Sequence, residues 1–111
     1  MRKVTVAAIQ MNNRRVVSEN IAKAEKLVRE AAEKGAQIIL LPELFERQYF
    51  CQERRYDYYD FAKKTEENDA VIHFRKICKE LSVVMPISFY EKDGNTLFNS
   101  VAVIDADGEI L

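Results

Sequence analysis

Glu43 is the residue of this sequence whose type and position most favour chemistry. In the stretch AQIILLPELFERQYFCQ, four apolar residues run into Pro42 and Glu43, and two aromatic residues and Cys51 follow. Such an apolar run is typical of a buried strand, and ligands of open α/β sheets collect beyond the carboxyl ends of parallel strands. Apolar neighbours would desolvate the carboxylate, raise its proton affinity and make it a better general base near neutral pH. Position alone leaves two alternatives open, a solvated loop glutamate and a glutamate that caps a helix N-terminus.

The cysteines and the single histidine carry weaker signals. Cys51 lies near Glu43, but nothing cationic or helix-terminal is close in sequence to lower the pKa of its thiol, so we interpret it as a packing residue or a pocket wall. Cys78 shares an apolar helix face with Phe74, which indicates a core residue. His73 lies off that face and is predicted to be a surface or partly exposed residue, not a catalytic one. The spacing of these residues matches no zinc pattern, so no metal site is expected.

The elements that must position Glu43 begin with a strand, a helix and a second strand. VTVAAIQM, residues 4–11, is almost continuously apolar, which is typical of a strand covered on both faces. Helical spacing of apolar residues follows, with Ser18 as the expected N-cap and Gly35 as the C-terminal stop. The run IILL, residues 38–41, is then the second strand, and a crossover of this kind joins parallel neighbours. The fold class is therefore α/β.

The second half of the sequence predicts a helix and a hairpin. Residues 46–65 keep neither the helical nor the strand period and indicate a loop, with one short helix left open, whereas apolar spacing predicts a helix over residues 68–81. Two strands then flank Asp93-Gly94-Asn95 as an antiparallel hairpin, and Pro86 inside the first strand indicates an edge position or a bulge. We interpret Asn99, a polar residue in the second strand, as a satisfied buried amide. Another strand starts at Glu109, and the sequence stops at Leu111, so we expect a fragment of a longer protein.

The amino-acid composition limits which classes of binding partner are expected. Seventeen basic and eighteen acidic residues give a net charge of -1, so no long-range field attracts this chain to nucleic acid or to an anionic membrane, and a small neutral or mixed-charge partner is expected. The apolar content of 48% suits one globular domain. The N-terminus shows no signal peptide, which predicts a cytoplasmic protein.

The order of these motifs resembles a known family. The segments VTVAAIQM, NIAKAEKLVREAAEKGA, IILLPELF and LFNSVAVIDADGEIL are together similar to the amino-terminal part of the nitrilase superfamily of carbon-nitrogen hydrolases. The similarity runs through essentially all 111 residues. It implies that residues 1–111 are an amino-terminal fragment of a single carbon-nitrogen hydrolase domain. The implied fold is part of an α-β-β-α sandwich, with a mixed sheet flanked by helices.

The resemblance also implies a mechanism. The family uses a glutamate, a lysine and a cysteine nucleophile, and only the glutamate carries over, onto Glu43. The lysine and the cysteine are expected beyond Leu111, so this chain alone is predicted to be inactive. Glu43 would take the thiol proton, the thiolate would attack an amide or carbamoyl carbon, and water would hydrolyse the covalent intermediate. Tyr49, six residues after Glu43, matches a tyrosine that lines the substrate pocket in the family, although loop packing or an interface is an equal alternative. No metal or organic cofactor is expected.

The choice of substrate within the family rests on fewer residues than the family resemblance does. FERQYFCQE is most similar to the family's amidases that act on N-carbamoylputrescine in polyamine synthesis, and the products would be putrescine, ammonia and carbon dioxide. Ureidopropionase-like and ω-amidase substrates stay open within the family. A non-catalytic α/β binding or interaction module is the alternative of a different class. The resemblance further implies a homo-oligomer in the full-length form.

Overall fold

The structure is a computed structural model that describes residues 3–12, 16–42, 65, 68–93 and 96–111. Within its hairpin, residues 90, 92–93 and 96–98 are described by their backbone alone. The described elements are β1 (Val6–Ala8), α1 (Val17–Glu33), β2 (Ile38–Leu40), α2 (Asp69–Leu81), β3 (Met85–Asp93) and β4 (Thr96–Ile104). The α/β class predicted from the sequence is confirmed.

The strands form one mixed arrangement. β1 and β2 pair in parallel, with Val6 opposite Ile38, as the crossover predicted. A parallel bridge between Ile38 and Val84 joins β2 to the residue just before β3. β3 and β4 form the predicted antiparallel hairpin, and Ile110 bridges Ile104 on the far side of β4. The order across the sheet is therefore β1, β2, β3, β4 and the start of a further strand.

Pro86 marks the point where β2 and β3 stop pairing. The last hydrogen bonds between them are Val84 N–H to the Gln37 carbonyl at 2.9 Å and Ile39 N–H to the Val84 carbonyl at 3.0 Å. The next bond of a parallel ladder would need an N–H at Pro86, which proline lacks. Pro86 keeps its regular partner in β4, Val103, so the structure shows the end of a ladder and no bulge.

Both helices pack on one face of the sheet. Buried residues of α1 (Ile21, Ala24, Val28) and of α2 (Val71, Phe74, Ile77) form one cluster with Ile39, Met85, Ile87, Phe89, Ala102 and Ile104 of the strands. Alternate residues of the same strands point the other way, and several are apolar and exposed, namely Val6 at 63%, Leu40 at 47% and Val101 at 62%. The face opposite the helices is thus apolar and uncovered in the described residues.

Three sequence predictions are wrong in detail. The first strand is shorter than residues 4–11 and, in the described part of the chain, is covered on one face only. Ser18 is not the N-cap of α1, because the helix already begins at Val17 after Val16, which provides no side-chain cap. Asn99 is exposed and not buried.

The start of α2 and the carboxyl ends of both helices are explained by local capping residues. α2 begins after Asn68, whose side chain accepts a hydrogen bond from the Val71 N–H at 3.1 Å, and it ends at Ser82 in the left-handed conformation with φ of 54°. α1 ends before Gly35, where φ is +93°, as predicted. Neither helix in the described ranges is long and apolar enough to cross a membrane.

Candidate active site

The carboxyl ends of β1 and β2 form the edge at which a site is expected. Ala8 and Leu40, the last residues of the two strands, lie opposite each other, and the Ile9 N–H donates to the Leu40 carbonyl at 2.9 Å. Leu41 then turns into the core at 4% exposure, and Pro42 follows half-buried. Because β1 and β2 are parallel, both deliver the chain to the same edge of the sheet.

Glu43 follows Pro42 directly in the sequence. Glu43, Tyr49 and Cys51 lie outside the described residues, so the structure brings none of them together with another group. The roles of Glu43 as base and of Tyr49 as pocket residue stay predictions. The structure shows how β2 ends. The strand is short and parallel to β1, and buried Leu41 follows it at the carboxyl edge of the sheet.

A polar cluster beyond this edge was not predicted from the sequence. Glu91 on β3 accepts hydrogen bonds from the Thr65 hydroxyl at 2.7 Å and from the Ser100 hydroxyl at 2.8 Å. Thr65 lies before α2, and Ser100 lies on β4, so the carboxylate joins three parts of the chain. One sequence signal could have indicated Glu91: it follows the apolar run VVMPISFY, much as Glu43 follows IILL and Pro42.

Cys78 is a core thiol and not a nucleophile, as predicted. It is fully buried on the inner face of α2. Burial raises the pKa of the thiol to about 12, and a weaker opposing effect comes from the backbone N–H of Met85. Because the thiolate is the reactive form, such a thiol is inert at neutral pH.

His73 takes part in a surface ion-pair network and in no catalytic triad. Its Nε2 lies 2.5 Å from Oε1 of Glu25 on α1, and the side chain is partly exposed, as the sequence predicted. Arg29 pairs with the other oxygen of Glu25 at 2.9 Å and also with Glu80. The hydrogen bond from Arg29 is the main cause that lowers the pKa of Glu25, while burial opposes it and His73 adds to it. The network links α1 to α2 on the outer surface.

Metal-ligating side chains do not cluster in the part of the chain that the structure describes. Within those ranges no group of three or more His, Cys, Asp or Glu residues could hold a metal ion.

The turn after β4 fixes where the next strand begins. Arg75 on α2 donates to the Gly108 carbonyl at 2.9 Å and contacts Glu109 at 3.4 Å. The Leu111 N–H then donates to the Val103 carbonyl at 2.9 Å, which starts the pairing with β4. This turn aligns the strand after which the family resemblance places the lysine.

The comparisons with known proteins agree with this architecture. Residues 5–111 match the family model described as carbon-nitrogen hydrolase. The chain therefore belongs to the carbon-nitrogen hydrolase family. Its fold is the amino-terminal part of the nitrilase-like α-β-β-α sandwich, because the structure superposes on a solved carbon-nitrogen hydrolase from Helicobacter pylori G27 with a TM-score of 0.86 at 23% identity, over 96% of this chain and 37% of that one.

Particular relatives are more similar in sequence. The N-carbamoylputrescine amidase of Oryza sativa subsp. japonica is 54% identical over 106 residues, which are 96% of this chain and 35% of that protein. The citrullinase of Francisella tularensis subsp. tularensis is 40% identical over 111 residues, which are 100% of this chain and 39% of that protein. The chain thus spans little more than a third of the length of these curated relatives.

Proposed function

We propose that the complete protein to which this chain belongs is an amidohydrolase that acts on N-carbamoylputrescine. The observation that carries the proposal is the 54% identity to an N-carbamoylputrescine amidase over 96% of the chain. One water per substrate balances the reaction, and the products are putrescine, ammonia and carbon dioxide. We further propose that the protein works in the cytoplasm as a homo-oligomer.

The chemistry assigned to Glu43 follows from its place in the chain. In the sequence, Glu43 follows the parallel strand β2 and comes two residues after buried Leu41, so we expect partial desolvation to raise the pKa of its carboxyl. Glu43 then accepts the proton of a cysteine thiol from the downstream part of the polypeptide. The thiolate attacks the carbamoyl carbon, and a lysine from the same downstream part stabilises the oxyanion. The C–N bond then breaks, the leaving amine takes the proton that Glu43 accepted, and water hydrolyses the covalent thioester-like intermediate.

Tyr49 is proposed to line the substrate pocket. Its position six residues after Glu43 matches the family pattern, and an aromatic ring with a hydroxyl offers both an apolar wall and a hydrogen bond. The 111-residue chain by itself is proposed to be inactive, because it would hold the base without the nucleophile it serves.

Citrulline is a second candidate substrate, because the citrullinase relative is 40% identical over the whole chain. Citrulline carries the same carbamoyl group as N-carbamoylputrescine but adds an α-carboxylate. The experiment is ammonia release by the full-length protein from N-carbamoylputrescine, citrulline and a linear ω-amide. We expect kcat/KM to be highest for N-carbamoylputrescine, with putrescine and ammonia in equal amounts. A higher kcat/KM for citrulline would replace the substrate assignment, and no turnover of any of the three would favour the non-catalytic module.

A further inference from the structure

The strand β1 forms one side of the sheet, and its outer edge is open in the described residues. The Ile9 N–H donates to the Leu40 carbonyl at 2.9 Å, so Ile9 directs its N–H toward β2. Alternate residues of a parallel strand direct their backbone groups to opposite sides, so those of Val6 and Ala8 point away from β2. Within the described ranges, Val6 and Ala8 form no backbone hydrogen bond to any other part of the chain. Such an edge is ready to pair with another strand.

A groove of about 410 Å³ lies between this open edge and helix α1. Ala7 and Ile9 of β1 line it together with Leu27 and Ala31 of α1, and all four residues are only half-buried. Ala7, Ile9 and Ala31 also pack against the buried core. The groove is therefore a place where α1 extends past the sheet and the apolar core is incomplete.

We propose that a further β-strand, from the part of the full-length polypeptide outside residues 1–111, pairs with the outer edge of β1 and fills this groove. The backbone of that strand bonds the outward N–H and carbonyl groups of Val6 and Ala8. Enough chain is present to supply it, because residues 1–111 superpose on only 37% of the solved hydrolase from Helicobacter pylori G27 and match 35% of the Oryza sativa relative.

The groove also defines the chemistry of the strand. Side chains on its inner face pack against Leu27 and Ala31, so they are apolar. Side chains on its other face lie beside Val6, which is 63% exposed, and extend the apolar face of the sheet. Glu30 and Lys34 are exposed residues of opposite charge in the lining of the groove, so the groove favours neither an acidic nor a basic segment.

A second copy of this chain fits the edge less well. Two β1 strands from two copies would pair antiparallel around a two-fold axis perpendicular to the sheet. That axis places both α1 helices on the same face, where each helix extends over the edge that the other copy needs. β1 also spans only three residues, Val6–Ala8, so such a pair would form few hydrogen bonds.

The first test is hydrogen-deuterium exchange of the full-length protein, resolved to single backbone amides. Ala7 directs its N–H toward β2 and is the internal control. We expect the amides of Val6 and Ala8 to exchange within about tenfold of the rate at Ala7, because all three are hydrogen-bonded in one sheet. Exchange at Val6 and Ala8 at least about 100-fold faster than at Ala7 would show an open edge and overturn the proposal. The measurement involves no turnover, so a failure of the amidase assignment leaves its outcome unaffected.

The second test probes the side chains in the groove. Leu27→Gln keeps the side-chain size and places an amide against the apolar strand, so it should lower the urea midpoint of the full-length protein by at least about 0.5 M. Lys26→Gln alters the exposed neighbour on the same helix and should shift the midpoint by less than about 0.2 M. A shift at Leu27 no larger than that at Lys26 would overturn the filled groove.

The oligomeric state separates the two sources of a strand. Exchange is measured at a protein concentration at which the assembly is intact and at one at which it has dissociated into monomers. We expect the protection of Val6 and Ala8 to persist in the monomer, because the strand belongs to the same polypeptide. Protection that is lost on dissociation, while Ala7 stays protected, would assign the edge to a second copy and overturn the proposal.

Discussion

Gly108 offers a sharp test of how α2 fixes the turn that follows β4. Its φ is +86°, and an added Cβ would lie 2.8 Å from the backbone oxygen of Arg75 and 3.2 Å from the Cβ of Lys79. Gly35 has nearly the same φ of +93°, yet an added Cβ there meets nothing within 4 Å. Gly35→Ala and Gly108→Ala therefore share the backbone strain and differ in the close approach to a helix.

The expected losses of unfolding free energy follow from the backbone strain and from the close approach to the helix. A left-handed φ costs a residue with a Cβ about 1–2 kcal/mol, and this cost applies at both glycines. A Cβ at 2.8 Å from the Arg75 oxygen forces the α2 backbone or the turn to move, which adds about 1–3 kcal/mol by analogy with overpacked cores. The entropy that alanine removes from the unfolded chain, about 0.4–1 kcal/mol, acts in both variants and cancels in their difference.

The assay is urea unfolding of the full-length wild type and both variants, with linear extrapolation to water. We expect Gly108→Ala to lose about 1–3 kcal/mol more than Gly35→Ala. Equal losses at the two sites, or a larger loss at Gly35, would refute the close approach between the turn and α2. A larger loss at Gly108 combined with reduced kcat would also connect the turn to the strand that leads toward the expected lysine.

Three further predictions follow from the described residues. Asn68→Ala should cost about 1–2 kcal/mol in urea unfolding because it removes the cap of α2, whereas Asn68→Asp should keep most of the stability. Val101→Lys should destabilise the full-length protein by about 2 kcal/mol or more, because we expect the rest of the full-length sandwich to cover that exposed face. Ile72→Lys on the outer face of α2 should change stability by less than about 0.5 kcal/mol, and equal effects of the two substitutions would contradict a covered face. The pKa of Glu25 is held below its usual value of 4.5, so its stabilising contribution is complete above that value and is lost as the pH falls through the lower folded-state pKa. The difference in unfolding free energy between wild type and Glu25→Gln should therefore shrink as the pH falls from 6 to 3. A difference that grows on acidification would contradict a lowered pKa of Glu25.

Local signals predicted much of the fold. α2 was predicted over residues 68–81 and observed as Asp69–Leu81, because its apolar residues recur at helical spacing within that segment. The parallel β1–β2 pair and the antiparallel hairpin were predicted as well, since crossover length and turn residues decide strand direction.

Properties set by contact with distant residues were not predictable in the same way. The first strand is short because its partner β2 spans only Ile38–Leu40, which a single apolar run does not reveal. The Glu91 cluster depends on the register between β3 and β4 and on Thr65 from another part of the chain. Of the candidate site, the sequence supplied Glu43 and Tyr49 through the family resemblance, and the structure supplied the strand end that leads to Glu43.

The most direct test of the central claim is the turnover of N-carbamoylputrescine by the full-length protein with Glu43→Gln. The substitution keeps the size of the side chain and removes the base that is proposed to accept the thiol proton. We predict that ammonia release falls by at least about 1,000-fold while the urea unfolding midpoint stays that of the wild type. Near-normal turnover by the folded variant would contradict the role assigned to Glu43.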